Sequence, residues 1–158
     1  MTLSDRLWEA LAPLLHAAAP TDTLFNPYVD YDDALDVPGA PQLRTANLRA
    51  YLDAFDESPP ILAVAEAPGY RGCRFSGIPL VSEKQLVDSD FPIDGIPTSR
   101  DGPMGEQSAT IYARVLAERR PLVFTWNTVP FHPHKPDQPL TNRRPTQAKI
   151  DASAPTLG

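Results

Sequence analysis

The sequence predicts an α/β fold built on a parallel sheet, and three observations carry that prediction: two short unbroken apolar runs, a long crossover with a helical pattern between them, and helical periodicity before them. Ile61-Leu62-Ala63-Val64-Ala65 and Leu122-Val123-Phe124-Thr125-Trp126 show no polar alternation, which is expected of strands buried on both faces. A strand, a crossover containing a helix and a second strand form the βαβ unit, in which the strands run parallel.

Taken in order, Leu3, Leu7, Leu11, Leu14 and Leu15 recur at helical spacing, with Thr2 or Ser4 available as cap, so residues 4 to 18 are expected to form an amphipathic helix that Pro20 stops. Residues 20 to 41 combine Pro27, Pro38, Gly39 and Pro41 with many aspartates, which is loop chemistry. Leu43, Leu48, Tyr51, Leu52 and Phe55 restore a helical pattern over residues 42 to 56, and Ser58-Pro59-Pro60 breaks it. The first strand opens into a Gly/Pro/Arg-rich loop from Glu66 to about Gly105, followed by a helix from Glu106 to Arg119. The second strand ends in Asn127. From Pro130 onward, Pro133, Pro136, Pro139 and Pro145 predict irregular chain, and residues 151 to 158 have no amphipathic period. The expectation is one domain over residues 1 to 158: a helical part to about 58, an α/β part from 60 to 150, and an irregular tail.

At 158 residues, 42% hydrophobic and 22% charged, the chain has the composition of a water-soluble domain, and no apolar run approaches the roughly 18 residues of a membrane span. Residues Thr2 to Ala19 lack the basic start and apolar centre of a secretory signal, so the expected location is the cytoplasm and the expected state a monomer. The lone Cys73 cannot close an intramolecular disulfide or supply the thiolates of an iron–sulfur or structural zinc site. A net charge of −6 argues against a polyanionic partner, since such binding is dominated by cations on the protein. The charge is divided along the chain, however. Aspartates 22, 30, 32, 33 and 36 lie in the first third and Arg143, Arg144 and Lys149 in the last, so one face can still be basic.

Ligands of open α/β sheets bind beyond the carboxyl ends of the parallel strands. The residues there are Glu66-Ala67-Pro68-Gly69-Tyr70 and Asn127-Thr128-Val129-Pro130-Phe131-His132-Pro133-His134. A carboxylate directly after a strand serves either a turn or a reaction, and an Asn likewise serves either a turn or recognition. His132 and His134 suggest a metal, but a metal site needs three or four ligands and Cys73 is the one other soft donor; no metal and no cofactor are expected.

Four segments in order carry a resemblance. Glu66-Ala67-Pro68-Gly69 resembles the Gly-Glu-Ala-Pro-Gly motif of one branch of the uracil-DNA glycosylases, and Gly77-Ile78-Pro79-Leu80-Val81 resembles the Gly-x-Pro-Phe-Val segment that follows it. Trp126-Asn127-Thr128-Val129 is similar to the strand whose terminal Asn reads uracil, and Thr141-Asn142-Arg143-Arg144-Pro145-Thr146 to an Asn-Arg-x-Pro-Thr run. The match spans roughly residues 60 to 150. It implies a three-layer sandwich with a central parallel sheet, a partner in uracil-containing DNA, and base-excision repair as the process. Glu66 would then activate water. Asn127, Ala67, Pro68, Gly69 and Leu80 would enclose uracil, and Arg71, Arg74, His132, His134, Asn142 and Arg143 would meet DNA. The Asn amide offers a donor and an acceptor to uracil O4 and N3–H, which cytosine does not match.

Three departures from the family pattern lower the expected activity. Ala65 replaces a Gly, Leu80 replaces the Phe that stacks on the base, and no His follows His134 to stabilise departing uracil. The resemblance therefore also implies a sandwich incomplete at its C-terminal end. Its alternative reading is a catalytically silent fragment with weak DNA binding or none.

Overall fold

The computed structural model describes residues 1–18 and 21–158. Helix α1 spans Leu3–Ala17, and Thr2 and Asp5 cap it reciprocally, the Thr2 hydroxyl accepting from the Asp5 amide at 3.1 Å and the Asp5 carboxylate from the Thr2 amide at 3.0 Å. Leu11 and Leu15 are its buried face. The expected stop at Pro20 lies outside the described residues. Helix α2, Ala40–Asp53, starts two residues before the predicted position. Gly39 takes a left-handed φ of 77° there and Pro41 sits in the first turn, where its fixed φ and missing N–H cost nothing. Leu48, Tyr51 and Leu52 of α2 join Leu11 and Leu15 in the core, together with Trp126.

Strands β2 (Ile61–Ala65) and β3 (Val123–Asn127) pair in parallel, in register from Ile61 opposite Val123 to Ala65 opposite Asn127. The fold is therefore mixed α/β with a parallel pair, as expected. Between them run α3 (Cys73–Ser76) and α4 (Glu83–Leu86), single turns within the segment expected to be loop, and α5 (Gln107–Leu116), whose Tyr112 hydroxyl bonds the Thr125 hydroxyl of β3 at 2.6 Å. A second sheet joins β1 (Leu24–Phe25) to β4 (His132–Pro133) in antiparallel fashion and ties the acidic N-terminal loop to the segment after β3. The irregular tail is a correction. Residues Gln147–Ser153 form α6 and Ala154–Thr156 a 3₁₀ turn, with the Trp126 indole donating to the Thr156 hydroxyl at 3.4 Å. A helix this short is held by tertiary contact, which leaves no amphipathic period to read.

The expectation that both strands are buried on both faces holds for β3 and fails for β2. In β3, Val123 and Trp126 are at most 9% exposed, whereas Ile61, Leu62 and Val64 are 49%, 54% and 51% exposed. The cause is edge pairing. β3 has β2 on one side, and on the other the Tyr51 hydroxyl accepts from the Thr125 amide at 2.7 Å and donates to the Thr125 carbonyl at 3.2 Å. Among the described residues β2 has β3 alone, so an apolar run that reads as interior is an edge.

The acidic loop is also less solvated than its composition suggests. Asp36 is fully buried and its Oδ1 holds two guanidinium groups, Arg44 of α2 at 2.6 Å and Arg74 of α3. Arg44 further donates to Thr98 Oγ1 at 3.1 Å and to the carbonyls of Pro27 and Asp30, and Arg74 lies between the rings of Phe25 and Phe75. Burial lowers the Arg44 pKa and the charge of Asp36 opposes that shift. Removing one member of a buried ion pair strands the others, at a cost of about 3–5 kcal/mol. Asp36→Asn is expected to lose that much in urea unfolding, while Asp33→Asn, on the exposed part of the loop, changes stability by no more than about 0.5 kcal/mol.

Candidate functional site

The register of β2 against β3 delivers Glu66 and Asn127 to the same end of the sheet, and two further bonds continue the pairing into the turns: Thr128 N to Ala65 O at 2.8 Å and Val129 N to Glu66 O at 3.0 Å. Beyond them lies a cavity of about 250 Å³. Glu66, Ala67, Pro68, Gly69, Leu80 and Asn127 all line it, so the structure brings together the residues that the sequence placed around a base. It is smaller than the roughly 300–1,000 Å³ of drug-sized sites, a volume suited to one heterocyclic ring.

Asn127 forms the floor. It is 2% exposed, its Nδ2 donates to Cys73 Sγ at 3.8 Å, and its Oδ1 accepts no bond from the described residues. Burial and the nearby Glu106 push the Cys73 thiol well above its ordinary range, which keeps it a neutral wall group. Glu66 stands at the rim, largely exposed, 3.5 Å from the exposed Arg144 guanidinium. Such an exposed pair contributes little to stability. Leu80, on the wall, has a left-handed φ of 53°. For a non-glycine residue this costs about 1–2 kcal/mol, and strain of this kind clusters where a site fixes its geometry.

The loop carrying Ala67, Pro68 and Gly69 is fixed from three sides. Gly69 O accepts from the amides of Gly72 at 3.1 Å and Arg74 at 3.3 Å, and the Tyr70 amide donates to Asn142 Oδ1 at 2.9 Å. The third support is His132, which lies between the carbonyls of Pro68 at 2.7 Å and Pro139 at 3.2 Å. Here the structure departs from the sequence expectation. Arg74 and His132, assigned to DNA contact, are both 0% exposed and are committed to Asp36 and to these carbonyls. A βα loop that must hold a cavity open consumes nearby polar side chains as scaffolding, and charge and location alone do not separate that use from ligand contact. Arg71, Asn142 and Arg143 are exposed, and Asn142 and Arg143 line the cavity; His134 is half-buried and stacks on His132 at 5.7 Å. Arg143 on the lining and Arg144 beside Glu66 bring positive charge to the rim.

Cys73 and Glu106 are cavity residues that the sequence reading did not place there. The signal for Glu106 was present: it heads α5, the crossover helix after β2, and such helices begin at the carboxyl edge of the sheet. Among the described residues no group of three or more His, Cys, Asp or Glu side chains is placed to hold a metal ion.

No protein-family model matches the sequence, and no curated protein matches it.

Burial holds the His132 pKa down to about 4, so the ring is neutral, with Nδ1–H donating to Pro68 O at the shorter distance. An unfolded His takes up its proton near pH 6.5 while the folded one does so near 4, so the unfolded state binds more protons between these values and stability falls as pH drops through that window. The loss is about 3 kcal/mol, at 1.36 kcal/mol per unit. In urea titrations from pH 7 to 4, His132→Gln is expected to flatten this part of the stability profile.

Proposed function

We infer that the chain is a nucleobase-binding domain of the uracil-DNA glycosylase type, acting on uracil flipped out of DNA and hydrolysing the bond between base and sugar. The observation that carries the reading is the convergence of the Glu66 carboxylate and the Asn127 carboxamide on one ring-sized cavity at the carboxyl end of paired parallel strands. The finer fold, a three-layer sandwich, belongs to the same reading; it is supported by α1 residues that line a groove with Phe124 and Trp126 and by the bond from Tyr112 of α5 to Thr125.

Each part of the site has a role in this reaction. A flipped base must be enclosed and its edge read. Asn127 provides an unused acceptor at Oδ1 and a donor at Nδ2 whose present partner is a weak thiol. That combination matches the O4 and N3–H edge of uracil. When the C1′–N1 bond breaks, its electron pair leaves with the base and the sugar gains cationic character. Glu66, at the rim and ion-paired with the exposed Arg144, would stabilise that cation and take a proton from the attacking water. Arg143 and Arg144 at the mouth, and the exposed Arg71 that follows the Ala67–Tyr70 turn, are suited to phosphates.

A duplex with a single U:G pair, incubated with the protein and then treated with alkali, is expected to break at the uracil. Glu66→Gln should slow this by about 10²–10⁴-fold, the usual contribution of a positioned acid or base. Leu80→Phe should quicken it, since an aromatic platform adds about 1–3 kcal/mol of stacking. If wild type and Leu80→Phe both leave the strand intact, catalysis is rejected, and a gel shift that weakens with salt would then leave a silent DNA-binding domain.

A further inference from the structure

The carboxamide of Asn127 can be seated in two ways, and the choice decides which base it reads. Uracil presents O4, an acceptor, beside N3–H, a donor; cytosine presents N4–H, a donor, beside N3, an acceptor. A half-turn of the amide exchanges Oδ1 and Nδ2, so the same side chain in the same cavity would then pair with cytosine, the undamaged base. Asn127 is 2% exposed, and among the described residues the one bond its carboxamide makes runs from Nδ2 to Cys73 Sγ at 3.8 Å. Whatever orients the amide therefore acts through the sulfur.

A thiol both donates and accepts, so alone it would allow either seating. Its other neighbour removes that freedom. Tyr28 is 4% exposed, and its hydroxyl, within hydrogen-bonding reach of Cys73, donates its one proton to the Gly77 carbonyl at 2.9 Å. A carbonyl has no proton to give, so the direction of the chain is set at Gly77. The Tyr28 oxygen has lone pairs left and no proton, the thiol proton goes to it, and the sulfur turns its own lone pairs to Asn127. Burial raises the pKa of both groups, so neither gives up the proton on which this order depends. Asn26 holds the tyrosine in place, its Oδ1 accepting from the Tyr28 amide at 3.0 Å while its Nδ2 donates to Leu15 O at 2.6 Å.

Resting on the glycosylase reading, we propose that Tyr28 and Cys73 are positioning residues for recognition: protons ordered toward Gly77 leave the sulfur an acceptor, Asn127 turns Nδ2 to it, and the amide is held in the seating that reads uracil. One N–H of Nδ2 is spent on the sulfur, and the other stands beside Oδ1 for the base. Neither Tyr28 nor Cys73 needs to touch the base. Their effect is on which base is accepted, since the wrong seating would leave buried polar groups facing like groups on uracil.

Cys73 is the one cysteine of the chain, so the S–H stretching band in the infrared belongs to it alone. Tyr28→Phe, which keeps the ring and removes the acceptor, should shift that band, because the thiol proton is then left free or turns to Asn127. A band that stays in place overturns the ordered chain, whatever the protein binds. The second measurement titrates free uracil and free cytosine into the ¹⁵N-labelled full chain and follows chemical shifts, with circular dichroism reporting the fold of each variant. Wild type is expected to bind uracil and to ignore cytosine. Tyr28→Phe and Cys73→Ala, which free the amide to turn, should lower the ratio of uracil to cytosine affinity by about tenfold or more, with a gain in cytosine binding that lost packing does not produce. Cys73→Ser, whose hydroxyl can donate to Tyr28 and accept from Asn127, should keep the wild-type ratio. An unchanged ratio in Tyr28→Phe, or loss of both bases in step, overturns the positioning role and leaves the glycosylase reading standing. Absence of uracil binding by wild type overturns both.

Discussion

The site depends first on a buried carboxylate outside it. Asp36 takes two guanidinium groups out of water, Arg44 from α2 and Arg74 from α3, and so locks the N-terminal loop to the two elements behind the cavity. Desolvating three charges is costly, and the arrangement survives because other groups share the burden. Arg44 reaches Thr98 and two carbonyls, Arg74 is sandwiched by Phe25 and Phe75, and the buried Glu83 carboxylate collects the amides of Thr98, Ser99 and Met104 from the returning crossover. Arg74 follows Cys73 directly and its own amide bonds Gly69 O. One ion pair therefore fixes, within a few bonds, the thiol against which Asn127 rests and the turn that carries Pro68 and Gly69.

That anchoring explains how an ordered cavity can sit on a sheet of two strands. The register places Ala65 opposite Asn127, and the bonds from Thr128 and Val129 carry the alignment past the strand ends. The turn itself is then clamped by Asn142 from one side and His132 from another, both supplied by chain that follows β3. Precision at Glu66 and Asn127 comes from these cross-connections between loops, and breadth of sheet contributes little to it.

Much of this was legible in the sequence and some was not, for physical reasons. The strands, their parallel direction and the helices α1, α2 and α5 follow from local periodicity and turn residues, and the strand-end rule found Glu66 and Asn127. Burial of β2 was misread because an unbroken apolar run reports what a strand can tolerate, while the number of its neighbours is set by the rest of the fold. Asp36 is indistinguishable in sequence from Asp32 or Asp33; its partners are brought to it from residues 44 and 74 by folding alone. The same long-range commitment turned Arg74 and His132 from expected DNA contacts into supports. α6 escaped notice because it is tied by long-range bonds, Lys149 to Thr23 and, through the 3₁₀ turn that follows it, Trp126 to Thr156, and has no pattern of its own.

The exposed edge of β2 and the cavity are separable in energy although they share a strand. Along the edge Ile61, Leu62 and Val64 are half exposed, and beside it a groove of about 300 Å³ runs between Leu14 of α1 and Leu157. From Ile61 to Ala65 this edge carries no charge or proline of the kind by which sheet proteins discourage further pairing, and Pro59 and Pro60 bound it at its start. At the other end of the same strand, Ala65 and Glu66 are held by β3 and by Thr128 and Val129. Whatever meets the edge meets it along residues 61 to 64, on the side away from β3. The groups that shape the cavity are fixed from the β3 side and from the N-terminal loop, so the geometry at the strand ends does not depend on that edge.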